Sequence, residues 1–157
     1  HMWALKGTIL PYARWMLTQQ LSSNSTPSLP PMPVQLRKHA EFAVSGLQKS
    51  PLEISGTMRK HQLKLADRQC RMAELSGRIQ KLVVILCTSL YASQQSDEIV
   101  RDAADILCQE MIRELNGRRP SDRYFRSVTK LGEAIVDGGF QSIANHTPDD
   151  ILMPYQN

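Results

Sequence analysis

Between residues 62 and 93 the apolar side chains Leu65, Met72, Leu75, Ile79, Leu82, Leu86 and Leu90 recur mostly at steps of three, four and seven. That is the repeat of one helical face. Arg68, Arg71, Arg78 and Lys81 fall between them, on the side left for water. A helix this long needs partner helices to bury such a stripe. Upstream, Leu36, Ala40, Ala43, Val44 and Leu47 mark the apolar face of a helix from about Val34 to His61, and Ile54 and Met58 resume it. Pro51 either kinks this helix or splits it, because Ser50 before it is biased away from the helical region. Downstream, Val100, Ala103, Ala104, Leu107, Met111 and Leu115 predict another buried stripe. Ser96-Asp97-Glu98 starts that helix: the serine accepts from the first free amides and the acids suit the positive end of the dipole. Asn116-Gly117 supplies a left-handed stop. Pro120-Ser121-Asp122 opens a last helix with Tyr124, Val128, Leu131 and Ile135 on one side, closed by Gly138-Gly139. In the assembled core, Leu75, Ile79, Leu82 and Leu86 are expected to meet the helix of Leu107 and Met111.

The ends read differently. Residues 3–21 predict a helix interrupted near Gly7 and Pro11, since an internal proline removes a backbone hydrogen bond. Residues 22–33, dominated by serine and proline, read as a linker. Residues 141–157, with Pro148 and Pro154, read as an irregular tail. His1-Met2 reads as the remnant of a cleaved expression tag, which makes the chain a piece of something larger. No strand pattern and no repeat is visible. The expected fold is therefore all-α: an up-and-down antiparallel helical bundle over 34–140 with a loosely attached N-terminal helix.

Composition changes this picture little. The chain of 157 residues suits one domain, and its aromatic fraction of 6% suits a core of Leu, Ile, Val and Ala. A net charge of +4 permits an anionic partner without requiring one. Cys70, Cys87 and Cys108 lack paired spacings, so they read as buried thiols in a reducing compartment rather than a disulfide or zinc framework. No run approaches the ~18 apolar residues that span a bilayer.

Candidate chemistry is sparse. Asp97-Glu98 reads as helix-start chemistry and Asp149-Asp150 as a solvated pair. His39, His61 and His146 stand apart from any cysteine cluster and are expected at the surface or in caps; no metal site is expected. Arg59-Lys60-His61 with Lys64, Arg68 and Arg71 makes a basic surface, and Arg118-Arg119 with Arg123 and Arg126 adds charge expected on the same rim. That surface can meet phosphates, but no aromatic is there to stack on bases, which disfavours nucleic acid.

The order of segments along the chain carries more. PMPVQL leads into a helix containing EFAVSGL at 41–47; then come Arg59-Lys60-His61, LADRQ at 65–69, MAEL at 72–75, LVVIL at 82–86 and SLYAS at 89–93. ILCQEMI at 106–112 and YFRSVTKLGEAIVDGG at 124–139 complete it. Residues 34–140 thereby resemble the extra C-terminal domain of very-long-chain acyl-CoA dehydrogenases, and Ala4-Leu5-Lys6-Gly7 resembles the piece that follows the family's catalytic-base segment. The resemblance implies a parent enzyme of fatty acid β-oxidation that binds FAD and oxidises an acyl-CoA at its α and β carbons. This chain lacks the Tyr-Glu-Gly-Thr-type segment that carries the base, and the flavin-cradling β-domain. The implied module is therefore non-catalytic and holds no cofactor. Its implied partners are the parent's catalytic core, a second subunit and a membrane surface. Its implied location is the cytoplasm or inner-membrane periphery of a bacterium, or the matrix face of a mitochondrial membrane.

The expected contact residues are Trp3, Leu10, Trp15, Leu17, Leu29 and Met32, with Arg59, Lys60 and Lys64 assisting on an anionic surface. The readings that compete with the enzyme domain are a stand-alone helical adaptor and, more weakly, a basic module for nucleic acid.

Overall fold

The computed structural model describes residues 2–21, 27–61, 64, 67 and 69–138. Among them are five helices and no strand: α1 (Met2–Leu21), α2 (Val34–His61), α3 (Gln69–Ser93), α4 (Glu98–Leu115) and α5 (Asp122–Val136). The protein is an all-α helical bundle. Its order is antiparallel throughout α2 to α5. Leu36 packs with Ala92 and Ala43 with Ile85, while Glu53 reaches Arg78, so α2 and α3 run oppositely. Ala92 meets Ala104 and Lys81 meets Glu114, which turns α4 back along α3. Arg113 stacks on Tyr124, which returns α5 along α4.

The helix ends follow local chemistry. Asp97 is the N-cap of α4, its carboxylate accepting from the Ile99 amide at 2.8 Å. The cap is therefore Asp97 and not the serine before it; a carboxylate adds charge to the same hydrogen bond. Ser121 caps α5 by accepting from the Tyr124 amide. Gly117, at φ 62°, and Gly138, at φ 81°, take the left-handed turns that end α4 and α5.

Both internal prolines are tolerated. Pro11 does not interrupt α1, which is one helix with the proline inside. The carbonyl it frees belongs to Gly7, which is exposed to water. Pro51 neither splits α2 nor ends it. Ser50 beside it turns its hydroxyl inward to the Gly46 carbonyl at 3.0 Å.

The core lies where α2, α3 and α4 meet, and much of it is small: Ala40, Ala43, Ala92, Ala104, Ser89 and Cys108 are buried beside Leu36 and Ile85. Small side chains let helix axes approach closely. Ser89 satisfies its hydroxyl on the Ile85 carbonyl one turn back, at 2.7 Å. The buried face of α3 is Leu75, Leu82, Ile85, Ser89 and Ala92. Ile79 and Leu86 are only half-buried, and Leu107 is exposed. The apolar spacing thus placed the face of α3 correctly at Leu75 and Leu82 but followed Leu86 and Leu90 where the buried line runs through Ile85, Ser89 and Ala92, because the run LVVIL offers apolar residues on every side of the helix. Leu86 and Met111 still pack against the core at Ile85 and Cys108. Leu82 also turns toward α2 at Gly46 rather than toward Leu107.

Two further expectations fail on burial. Cys70 and Cys87 are exposed, and only Cys108 is a buried thiol; helical membership alone does not decide which face a residue takes. The long helix begins at Gln69, and Leu65 and Arg68 lie outside the described residues. The tail beyond Gly138, with His146 and Asp149-Asp150, also lies outside them.

Candidate functional site

Three features of the bundle carry polar chemistry or uncovered apolar surface. The first is a part-buried polar pair between α2 and α4. The Nε2 of His39 lies 2.6 Å from Oδ1 of Asp105, and Gln109 donates to the other carboxylate oxygen at 2.7 Å. His39 is therefore neither a surface nor a capping residue, as its apolar neighbours Leu36, Ala40 and Ala43 on α2 make intelligible. Burial alone would raise the Asp105 pKa. The His39 hydrogen bond and charge outweigh it, with Gln109 and Arg123 adding, and hold the carboxyl below its ordinary value. Both oxygens are thus engaged, and the pair is a fastener between helices rather than a free acid or base. Burial pushes the neighbouring Cys108 thiol up, against its hydrogen bond with Ser89 and with help from the Asp105 charge, which keeps it un-ionised and unreactive.

Above this pair lies a groove of about 510 Å³ between α2, the last turn of α4 and the α4–α5 turn. Lys38, Arg113, Arg118 and Arg119 line it, together with Phe42, Ile112 and Tyr124. The guanidinium of Arg113 sits 5.2 Å from the centroid of the Tyr124 ring. The left-handed Gly117 brings the Arg118 amide back to the Arg113 carbonyl at 3.0 Å, folding the two arginines over the end of α4. Lys38 lies roughly 30 Å from Arg59 along the single helix α2, at ~1.5 Å per residue, and neither Arg59 nor Lys60 lines this groove.

The third feature is the outer side of α3. Val83, Val84, Cys87 and Tyr91 are all exposed. They share the face opposite Leu82, Ile85, Ser89 and Ala92 by the helical repeat. Val84 is 45% and Tyr91 62% exposed. Phe125 on α5 is exposed too, and α5 buries none of its residues.

The contact residues expected from sequence scatter over the molecule. Leu10 and Leu17 are exposed on α1. Trp15 stacks on Tyr12 with ring centroids 5.8 Å apart, and the Tyr12 hydroxyl hydrogen-bonds Ser55 on α2. Tyr12 and Trp15 border an apolar cleft with Pro51, Ile54 and Met58. Trp3 lies in α1 with its side chain outside the described residues. Met32 packs on the Leu36–Ala92–Ala104 cluster and so belongs to the bundle, not to a free linker. Leu29 is half-buried. Arg59, Lys60 and Lys64 are exposed at the far end of α2 and just beyond it. Neither the α1 set nor the basic set meets the groove. Among the described residues no group of His, Cys, Asp or Glu is arranged to hold a metal, and no helix is long and apolar enough to cross a membrane. A glycine-rich strand-to-helix cradle for a dinucleotide has no counterpart there, because every regular element is a helix.

No protein-family model, no curated protein and no solved structure matches this chain.

Proposed function

We propose that this chain is a non-catalytic packing module of a larger FAD-dependent long-chain or very-long-chain acyl-CoA dehydrogenase, serving contacts with the catalytic core and a second subunit. The observation that carries the packing role is the uncovered face of α3. Val83, Val84, Cys87 and Tyr91 form a continuous apolar strip on the helix whose other side is the centre of the core. Such a strip on an ordered helix is the mark of a surface that is covered in the working assembly. The family rests on the order of the segments from EFAVSGL to YFRSVTKLGEAIVDGG along the sequence. Association with a membrane surface through α1 and the residues up to Met32 belongs to the same reading, with Leu10 and Leu17 exposed for it.

The test has two arms. The purified chain should be colourless and should not turn over an acyl-CoA with an artificial electron acceptor; a stoichiometric flavin band would overturn the reading. A catalytic core expressed separately should capture the chain, and Val84→Glu should abolish capture without lowering the thermal midpoint. The same strip also suits a stand-alone helical adaptor. Whether the natural reading frame continues upstream of Trp3 into a flavin-binding core separates the two.

A further inference from the structure

The groove between α2 and the α4–α5 turn holds a concentration of charge that the bundle does not use. The chain as a whole sets 19 basic residues against 15 acidic ones. The groove lining contains Lys38, Arg113, Arg118 and Arg119 and no carboxylate. Among the described residues Lys38, Arg118 and Arg119 make no ion pair. Arg113 has only Glu110, at 3.9 Å on its own helix. Its Nε is buried without a hydrogen-bond partner among the described residues, an arrangement that costs stability unless an acceptor reaches it. Asp105 is already taken by the groove residue His39 and by Gln109. Glu110 and Asp122 are not part of the lining.

Two local features shape this cluster. Arg113 is fixed over the Tyr124 ring. The backbone that carries Arg118 and Arg119 is set by the left-handed turn at Gly117 and by the hydrogen bond from the Arg118 amide to the Arg113 carbonyl. Several cations lining one groove suit a phosphate, and arginine supplies paired donors for its oxygens. The rest of the lining, Phe42, Ile112 and Tyr124, is apolar or aromatic. A hollow of about 510 Å³ is of the size that takes a small organic ligand.

We infer that this groove binds a free phosphate monoester. Arg118, Arg119 and Lys38 take the phosphate, and the apolar body of the ligand lies along Phe42, Ile112 and Tyr124. The site is independent of the family proposed above, so either stands if the other falls.

The test uses the full chain, labelled with ¹⁵N and titrated with phenyl phosphate, inorganic phosphate and phenol. Phenyl phosphate should shift the amides of Arg113, Arg118, Arg119 and Ser121 saturably, inorganic phosphate more weakly at the same amides, and phenol not at all. The double variant Arg118→Ala, Arg119→Ala should weaken phenyl phosphate by about tenfold or more, as loss of charge-assisted hydrogen bonds does. Both side chains are exposed, so its thermal midpoint should not move. Arg59→Ala, Lys60→Ala should leave the affinity unchanged. Equal losses in the two double variants, or shifts spread over Arg59, Lys60 and Lys64, would reduce the effect to general attraction of anions and overturn the site. Flotation on phosphatidate vesicles that depends on Arg118 and Arg119, with no shift by phenyl phosphate, would assign the cations to a lipid surface and overturn a free ligand.

Discussion

At Gly46 the two main helices come as close as side chains allow. A methyl group added there would lie 2.7 Å from a Leu82 methyl carbon, and Leu82 is itself buried. Gly46→Ala should therefore destabilise by about 1–3 kcal/mol, although alanine favours a helix by roughly 0.5–1 kcal/mol over glycine. Leu82→Ala should cost about 2–5 kcal/mol through lost transfer energy and a cavity. The double variant should recover about 1 kcal/mol of the summed loss, because each change makes room for the other; additive denaturation midpoints would refute the contact. Asp105 is the second residue with a measurable signature. Its carboxyl is held below the ordinary value. The stability it contributes is complete above its unfolded pKa of about 3.9 and is lost as the pH falls through the lower folded value. Asp105→Asn should be less stable by about 1–3 kcal/mol at neutral pH. The deficit should shrink below about pH 4. Parallel stability curves for the two proteins from pH 7 to pH 2 would exclude this role.

Among the helices, α2, α4 and α5 were legible in the sequence to within a residue or two at their predicted ends. Their signals are chemical: an aspartate or serine cap at Asp97 and Ser121, and a left-handed glycine at Gly117. The burial face of α3 was less legible, because LVVIL puts apolar residues all round the helix and the buried line passes through Ile85, Ser89 and Ala92 rather than Leu86 and Leu90. The continuity of α1 was not legible, because an exposed proline lets water take the freed carbonyl. Helix α1 touches the rest through Tyr12, Trp15 and the cleft of Pro51, Ile54 and Met58, and leaves Ile9, Leu10 and Leu17 exposed. A truncation beginning at Val34 should therefore keep the bundle's thermal midpoint within a few degrees. It should lose whatever self-association or vesicle flotation the full chain shows. A truncation that still floats would move the adhesive surface onto α3.

For the whole molecule, the sequence showed that there would be a bundle, not where its charge would gather. Lys38 and Arg118 are remote in sequence, and only the parallel course of α2 and α4, set by His39 and Asp105, brings them to one groove. The exposed strip of Val83, Val84 and Tyr91 was equally hidden: LVVIL reads as core until its two faces are assigned. The same packing leaves the bundle unequal along its length. Helix α4 ends at Leu115, beside the level where Glu114 pairs with Lys81, so the first turns of α3 and the last turns of α2 run on beyond it, by roughly 18 Å from Lys81 back to Gln69 at ~1.5 Å per residue. Backbone amides should report this as two separate opening events. Those of Ile85 and Ser89, boxed in by three helices, should exchange with solvent deuterium only when the whole molecule unfolds. Those of Thr57 to Lys60 and of Met72 to Glu74 should exchange through a smaller opening of lower free energy, insensitive to changes at Cys108.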